Sequence, residues 1–439
     1  MPRKTTRIKS SAPIGNSDHN LIQAQFKVPK TTNVLLHKIC TYVDFKLSNF
    51  KRISNIIEYN ITKIYNYKSA FCAFDFFNKL IYQSLTGNVK NRRIHIYKRK
   101  PISKPAHRLY MKLRRLYSKW KKSGNQIILN KYKLTKVRYR LVVKNNGNKY
   151  ETSIADSKDP SSFWKYVKSS LKNKDSNYSL QTDSGSLIVD PSKIVNCFNK
   201  YFATVYTNDL HINHFLCTSK FNALVSPTIV KVANDSMKNS TSVGYDNIPM
   251  LFYKRLKNVL TIPILYIFNL ILQDNYIPEY WKVSLITPVY KGKGGKNSPE
   301  NFRPISITCV ISRIFEKCMY LLISNKIEPM LGPYQHGFRP KKNTTTNFIQ
   351  SYAFIYNKLD EGKSVDVVTI DCAKAFDKLS HNKLFSKLLA FEIDPHIYNI
   401  IVSFLSNRTQ IVKINNVYSD SQPVTSGVHQ GSVLGPIFF

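Results

Sequence analysis

The sequence predicts an α+β fold, in which helices pack against a sheet of short strands. Residues 281–319 contain two strand-like runs that are separated by a Gly/Lys-rich turn and followed by a helical pattern. Residues 364–389 pass from a β-branched run to apolar residues at helical spacing. Residues 259–272, VLTIPILYIFNLIL, form an apolar run that fits a buried helix.

Composition indicates the class of partner. The chain has 439 residues, which favours two or three domains, and its 66 Lys+Arg against 26 Asp+Glu give a net charge of +40. Such a surplus favours a polyanion, usually nucleic acid, with a membrane surface as the alternative. No apolar run approaches the ~18 residues of a membrane-spanning helix, and the N-terminus lacks the apolar core of a secretory signal. The seven scattered cysteines form no C-x-x-C pair, which favours a reducing compartment and argues against a zinc site.

The first 90 residues divide into two patterns. Residues 14–20, IGNSDHN, predict a polar turn, and the strand-like LIQAQFKV follows it. Residues 29–90 are rich in Asn, Ile and Tyr at helical spacing. We therefore expect a short strand and then helices in this part of the chain.

Residues 91–150 carry 20 Lys+Arg and no Asp or Glu. Within them, residues 107–124 predict an amphipathic helix whose apolar stripe comprises Leu109, Leu113, Leu116, Tyr117 and Trp120. A solvated helix face is the simpler interpretation, but like charges at i, i+4 repel where no acids offset them. A phosphate backbone would supply the missing counter-charge, so we expect salt-sensitive binding of nucleic acid here.

Asp371 follows a run of β-branched residues. Residues 365–370 predict a mostly buried strand, and Phe376, Leu379, Leu384, Phe385 and Leu388 predict a helix after it. Asp371 would then lie at the carboxyl end of a strand, a common position for ligand chemistry. The alternative is that Asp371 caps the helix.

Further motifs surround this stretch. Residues 239–249, NSTSVGYDNIP, are rich in turn residues, and residues 334–349 contain YQHGFRP. Residues 409–439 predict a hairpin around Asn415-Asn416 that leads into the Gly-rich loop SGVHQGSVLGP. The stretch KGKGGKN does not match the spacing of a phosphate-binding P-loop, so a hairpin tip is the better interpretation.

Taken in order, the segments across residues 239–439 resemble the reverse transcriptase of non-LTR (LINE-type) retrotransposons. DCAKAFDKLSH resembles the palm motif that holds the first catalytic aspartate, and SGVHQGSVLGPIFF resembles the next motif, with His429 in place of its usual Pro. NFRPIS and GFRP resemble fingers motifs of this branch. Group II intron maturases and telomerases share the palm, but the fingers motifs favour the non-LTR branch.

The resemblance implies a two-metal phosphoryl transfer with Mg²⁺, in which Asp371 is the catalytic residue and a metal ligand. It makes Phe376 a steric gate beneath the incoming sugar, and a core aromatic is the alternative. It places Gln430 and Gly431 beside the incoming nucleotide, and an ordinary turn is the alternative.

The resemblance also suggests phosphate contacts for three basic side chains. Lys291 and Arg303 flank the fingers turn, where they could meet the triphosphate, and Arg could do so bidentately. For Arg339, contact with a template-strand phosphate and a structural ion pair both stay open.

Ser17, Asp18 and His19 resemble the last motif of apurinic-type endonucleases, which lie upstream of the polymerase in one large group of non-LTR elements. An Asx-type turn is the alternative. The other members of that endonuclease site are absent from the 439 residues, so we expect no nuclease activity.

The family's next palm motif, an aromatic-x-Asp-Asp hairpin, is also absent from the sequence. The resemblance therefore implies a partial right-hand polymerase fold, with fingers and an incomplete palm, preceded by a mostly helical basic segment. We expect an endonuclease tail in residues 1–28, a basic helical region in 29–235 and polymerase fingers and partial palm in 236–439.

The expected function is that of an RNA-directed DNA polymerase, catalytically incomplete in this chain, so we expect primer extension to be undetectable. The alternative is a non-catalytic, basic nucleic-acid-binding remnant of such an element. Expected partners are an RNA template, a DNA primer or target and deoxynucleoside triphosphates, with no membrane. The expected location is nuclear or a cytoplasmic ribonucleoprotein, and the protein is not expected to be secreted.

Overall fold

A computed structural model describes residues 5–11, 21–26, 39–95, 103–157, 162–164, 166–167, 179–181, 185–207, 225–240 and 242–438. The chain forms two compact units, one of Met1–Tyr42 with Asn91–Lys174 and one of Val43–Lys90 with Asp175–Phe439. Ser17, Asp18 and His19 lie outside the described residues. The three predicted functional segments are not tested by this division and stay predictions.

The first unit contains short strands and a long helical hairpin. Strands β1 (Thr5–Ser11) and β2 (Leu21–Phe26) pair antiparallel, which confirms the predicted strand after the polar turn. Helices α3 (Lys104–Ser123) and α4 (Gln126–Asp156) pack against each other. Gly124, with φ of 61°, ends α3 in the left-handed conformation that glycine tolerates best. The predicted amphipathic helix is therefore present, and Leu113 is its buried centre.

The second unit contains most of the helices. In chain order they are α1 Phe50–Ile61, α2 Ala70–Leu85, α5 Pro191–Ala203, α6 Pro227–Ser236, α7 Met250–Arg255, α8 Lys257–Asp274, α9 Glu279–Lys282, α10 Val310–Ile327, α11 Thr344–Asp360, α12 His381–Ala390, α13 Pro395–Leu405 and α14 Gly435–Phe438. Most of them share one hydrophobic core that includes Phe268, Trp281 and Phe315. The apolar run 259–272 lies within α8, largely buried as predicted. Among the described residues, no helix is long and apolar enough to cross a membrane.

The central sheet of this unit has the order β10-β9-β7-β8, and β11 also pairs with β9. Its strands are β7 Val283–Tyr290, β8 Phe302–Ile307, β9 Arg408–Ile414, β10 Val417–Tyr418 and β11 Gln422–Val424. Outside this sheet, β5 (Leu180–Gln181) pairs with β6 (Leu187–Ile188), and elsewhere in the chain β3 (Ile39–Asp44) pairs with β4 (Lys90–His95). Strand β7 pairs antiparallel with β8 and parallel with β9. The predicted succession of strand, turn, strand and helix in residues 281–319 and the hairpin at Asn415 are confirmed.

Helix α5 covers one face of this sheet. Its Phe198 and Phe202 pack in a second core with Ile286, Phe302 and Val412. Side chains alternate between the two faces along each strand, so residues one position away, such as Leu285 and Lys413, point to the opposite face. The sheet therefore separates the α5 side from a second, more open side.

The strand predicted for residues 365–370 is wrong. This stretch forms neither strand nor helix, and Val367, Val368 and Ile370 are 70%, 82% and 85% exposed. Within the described residues no strand pairs with it, and β-branched residues favour a strand only where a partner and a core receive them. The helix begins later than predicted, at His381, and its N-cap is Ser380. Asp371 therefore neither ends a strand nor caps this helix.

Candidate active site

A cavity of about 750 Å³ opens on the α5 side of the central sheet. Six of the residues predicted to serve the polymerase site line it together: Lys291, Arg303, Asp371, Phe376, Gln430 and Gly431. These residues are up to 140 positions apart in the sequence, since Lys291 lies after β7 and Gly431 before α14. The fold gathers them, while the chemical role of each stays a prediction.

The Gly-rich loop is fixed against the turn that follows Asp371. The N–H groups of Gly427 and Val428 donate to the carbonyls of Leu379 and Phe376, both at 2.8 Å. Gly427 has φ of 81°, and a Cβ there would lie 2.5 Å from the carbonyl oxygen of Phe376. Only glycine fits so close to this backbone.

The same loop is fixed against strand β8. The Ser306 N–H donates to the carbonyl of Gln430 at 2.9 Å. Gly431 has φ of 120°, and a Cβ there would lie 2.6 Å from the carbonyl oxygen of Ser306. The loop is thus bound on both sides, which sets the position of the Gln430 side chain in the cavity wall.

Asp377 is a second carboxylate in the cavity that the sequence analysis did not single out. The side-chain amide of Gln430 donates to its two carboxylate oxygens at 3.3 Å each. Burial raises the pKa of Asp377, and the Gln430 hydrogen bond and the charges of Lys374 and Lys291 oppose that shift. The sequence did offer a signal, since Asp377 stands in the same motif as Asp371.

Aromatic side chains form the apolar part of the wall. The rings of Phe376 and Phe338 meet edge to face, with centroids 5.8 Å apart. Phe338 belongs to the GFRP motif and has φ of 59°, a conformation rare for a bulky residue. Tyr201 reaches the cavity from α5, where Lys374 lies over its ring at 5.2 Å. No local pattern in the sequence pointed to Tyr201.

Arg339 does not line this cavity. Its guanidinium pairs with Glu328 at 2.7 Å and donates to the carbonyl of Gly332 at 2.9 Å. The side chain is 13% exposed. The structure thus shows the ion pair that the sequence analysis left open for this residue.

A buried cluster of polar side chains packs against the Gly-rich loop. Arg408 donates to the carbonyls of Phe404 and Trp281, both at 2.9 Å, and to the ring of His429 at 3.3 Å. Burial lowers the pKa of Arg408 to about 10. Burial, together with the neighbouring charge of Arg408, keeps the pKa of His429 well below its usual value, so this ring is neutral and can accept the hydrogen bond.

Glu316 completes the support. Its Oε2 accepts from the backbone N–H of Val433 at 2.7 Å and of Leu434 at 3.3 Å. The carboxylate is fully buried, which raises its pKa, while these two hydrogen bonds oppose the rise. His429, which stands where the motif usually has Pro, thus belongs to a polar network that holds the loop.

Two acids, several cations and aromatic rings in one cavity can bind a polyphosphate with a planar base. Carboxylates suit a hard cation such as Mg²⁺. Within the described ranges, no group of three or more His, Cys, Asp and Glu side chains is placed to hold a metal ion. Lys291 donates to the carbonyl of Glu300 at 2.6 Å, so its ammonium is already positioned beside the hairpin turn.

Comparison with known proteins agrees with this chemistry. Residues 291–439 match the family model described as reverse transcriptase (RNA-dependent DNA polymerase). The chain is 27% identical over 296 residues to the probable RNA-directed DNA polymerase from transposon BS of Drosophila melanogaster, which covers 63% of this chain and 32% of that protein. It is 28% identical over 175 residues to the RNA-directed DNA polymerase from mobile element jockey of the same organism, covering 39% of this chain and 19% of that protein.

A third relative is the Pol polyprotein from the type-1 retrotransposable element R2 of Popillia japonica. It is 28% identical over 165 residues, covering 37% of this chain and 23% of that protein. The chain thus spans about a third or less of the length of these relatives. Residues 291–439 are thus similar to reverse transcriptases, and the similar proteins include RNA-directed DNA polymerases of transposable elements.

Proposed function

We propose that this chain, which carries a reverse transcriptase domain, serves RNA-directed DNA synthesis by a non-LTR retrotransposon and that its cavity binds the incoming deoxynucleoside triphosphate. The observation that carries the proposal is the convergence of six residues from separate motifs on one cavity. A chance assembly of unrelated motifs would not bring these side chains to one wall. The partners would be an RNA template and a DNA primer.

Each side of the cavity supplies one part of nucleotide recognition. Arg303 and Lys374 offer positive charge to the triphosphate, and Arg303 can donate two parallel hydrogen bonds. Phe376 forms the apolar floor against which a 2′-hydroxyl would collide. Gln430, positioned by Asp377, offers both a donor and an acceptor to the nucleotide.

The donor set fits a magnesium ion. Asp371 and Asp377 are oxygen donors in the same cavity, and Mg²⁺ usually takes one or two protein carboxylates together with substrate phosphates. When bound there, the ion would supply positive charge that offsets the charge of the phosphates. Asp371, which is exposed in the cavity wall, would be its principal ligand.

Nucleotide binding tests the proposal directly. Equilibrium dialysis with a labelled deoxynucleoside triphosphate and Mg²⁺ should show one saturable site. Arg303→Gln should weaken it about tenfold, which equals about 1.4 kcal/mol, because a charge-assisted contact is lost. Arg52→Gln, on the exposed surface of α1, is the matched control and should bind normally. Absence of saturable binding, or equal binding by both variants, would contradict the proposal.

A second function, binding of nucleic acid by charge, is favoured by the α3–α4 hairpin. Ring pairs Tyr110–Tyr139 and Tyr117–Tyr132 join its helices at 6.2 and 5.7 Å. Its basic side chains, among them Lys112, are exposed along α3. Residues 91–150 contain no acid to neutralise them. This hairpin would bind the phosphate backbone whatever the base sequence.

We propose the same division of the chain and the same location that the sequence predicts. Residues 1–28, with Ser17, Asp18 and His19, would be the tail of an endonuclease domain. Residues 29–235 would be a basic helical region, and residues 236–439 would be the polymerase fingers and palm. The protein would act in the nucleus or in a cytoplasmic ribonucleoprotein.

A further inference from the structure

A second pocket, of about 340 Å³, lies on the open side of the central sheet. Four tyrosines line it, Tyr82, Tyr245, Tyr280 and Tyr418, together with Asp246 and Asn247. We name it the tyrosine pocket. Each of the four rings is between 41% and 50% exposed. A cluster of solvent-exposed aromatic side chains often marks a surface that binds a ligand.

The tyrosine pocket and the cavity of the candidate active site share no lining residue. Leu285 of β7 lines the tyrosine pocket, while the next residue, Ile286, packs in the core beneath α5. Neighbouring residues on a strand point to opposite faces. Tyr418 of β10 likewise lies opposite Val417, which packs against that core. The two pockets are therefore distinct sites.

The loop that presents Tyr245 is rigidly built. Val243 and Pro249 form a β-bridge, and the Asn247 N–H donates to the carbonyl of Gly244 at 3.2 Å. Gly244 lies directly on the next segment, since a Cβ there would be 2.7 Å from the backbone of Thr308 and Cys309. Asn247 adopts φ of 56°. The loop thus holds Tyr245 and Asn247 in place before any ligand arrives.

The neighbouring rings and their polar partners are also fixed. Tyr245 and Tyr280 lie with centroids 6.3 Å apart and planes 32° from parallel. The Tyr82 hydroxyl donates to the carbonyl of Asp246 at 2.9 Å, which anchors that ring. The Lys413 ammonium lies 4.9 Å from the centroid of Tyr418. The pocket therefore combines stacking surfaces, an amide and the carboxyl group of Asp246, and a cation lies beside one of its rings.

We infer that the tyrosine pocket binds an unpaired nucleobase of a single-stranded nucleic acid. Every base has a π-face, so stacking on an aromatic side chain stabilises a bound base whatever its identity. Asn247 can donate to and accept from a base edge, and Lys413 can meet the adjoining phosphate. The volume lies at the small end of ligand pockets, roughly 300–1,000 Å³, which suits one nucleoside rather than a duplex.

The net charge of +40 favours this occupant over a basic or neutral peptide. The inference goes beyond the proposed function, because it concerns a nucleic-acid strand that binds at the tyrosine pocket. It does not require the cavity of the candidate active site to bind a nucleotide or to catalyse a reaction. If the cavity failed to bind a nucleotide, the inference about the tyrosine pocket would be unaffected. Unpaired RNA and DNA share the chemistry, and the experiment separates them.

Binding of matched oligonucleotides with and without bases tests the inference. Fluorescence anisotropy would compare a labelled 12-mer, as RNA and as DNA, with an abasic 12-mer of the same charge. The double variant Tyr245→Ala/Tyr280→Ala should lose about tenfold in affinity for a base-bearing strand and nothing for the abasic strand. Tyr245→Phe/Tyr280→Phe should keep normal affinity, because the stacking face remains. Tyr59→Ala, at an 82% exposed ring on α1, is the control.

If the double alanine variant loses affinity for the RNA strand alone, or for the DNA strand alone, the result identifies the natural source of the base. The inference would be overturned if the double alanine variant lost affinity equally for the base-bearing and abasic strands. It would also be overturned if the variant lost no affinity for either base-bearing strand. Ultraviolet cross-linking of a 5-iodouridine oligonucleotide to the unaltered protein gives a check that needs no variant. Cross-links at Tyr245 or Tyr280 support the pocket, and cross-links confined to other segments contradict it.

Discussion

The side-chain amide of Gln430 lies 3.3 Å from both carboxylate oxygens of Asp377, so one glutamine bridges two motifs of the cavity wall. Asp377 lies in the turn after Asp371, and Gln430 belongs to the Gly-rich loop. The contact fixes the orientation of the amide and partly offsets the cost of burying the carboxylate. Removing the Gln430–Asp377 hydrogen bond should therefore change both the affinity for a nucleotide and the pKa of Asp377.

Gln430→Ala should weaken binding of a deoxynucleoside triphosphate about tenfold, because a positioned donor and acceptor is lost. It should also raise the pKa of Asp377 further, since the hydrogen bond that lowers it disappears. Equilibrium dialysis measures the first effect, and NMR titration of the carboxyl carbon measures the second. Gln83→Ala, at an exposed position on α2, should change neither. An unchanged affinity in Gln430→Ala would remove this residue from the site.

Gly431→Ala should abolish nucleotide binding and lower the midpoint of thermal unfolding. The new Cβ would lie 2.6 Å from the Ser306 carbonyl oxygen at a φ of 120°, so the loop must move. Strain of this kind costs about 1–3 kcal/mol. Gly332→Ala is the matched control, because no atom lies within 4 Å of its added Cβ. Calorimetry that found the two variants equally stable would show that the loop is not held against β8 as described.

Arg408→Met should destabilise the second unit by about 3–5 kcal/mol, because it leaves buried carbonyls and the buried Glu316 without their cationic neighbour. Urea denaturation followed by circular dichroism measures the change. Arg52→Met, which removes an exposed arginine, should change stability by less than about 0.5 kcal/mol. Equal midpoints for the two variants would contradict the supporting role of Arg408.

Asp246 should make stability depend on pH. Burial raises its pKa to about 6, above the usual value near 3.9. The folded state then binds the proton more tightly than the unfolded state, so this contribution is full below about pH 4 and is lost as the pH rises through about 6. Asp246→Asn should flatten the stability profile between these values, by on the order of 3 kcal/mol at most. A profile that stays as steep in the variant would mean that another group is responsible.

Charge removal on α3 should change the salt dependence of nucleic-acid binding. The triple variant Lys112→Gln/Arg114→Gln/Arg115→Gln should lower the slope of log affinity against log salt by about 2 to 3, if each side chain meets one phosphate. Anisotropy titrations across a salt series measure the slope. Lys51→Gln/Arg52→Gln on α1 serves as the control. The nucleic-acid role of the hairpin fails if both proteins give the same slope.

Local patterns predicted the secondary structure where neighbours in sequence are also neighbours in space. The β7–β8 hairpin, α8 and the Asn415 turn all follow from nearby residues. The strand before Asp371 was predicted wrongly because strand formation depends on a partner elsewhere in the chain. Family resemblance placed Gln430 and Arg303 in the site, but it did not show that Asp377 bonds to Gln430. Tyr201 could not have been found, since its place in the cavity depends on how α5 packs on the sheet.

The most direct test of the account is the preference of the cavity for deoxynucleotides. Affinities for dATP and ATP would be measured on the chain in the presence of Mg²⁺, for the unaltered protein, for Phe376→Ala and for the exposed control Phe348→Ala. We expect the unaltered protein and the control to prefer dATP, and Phe376→Ala to bind both nucleotides alike. A cavity that binds neither nucleotide, or a preference that survives Phe376→Ala, would contradict the claim that this cavity selects the incoming deoxynucleotide.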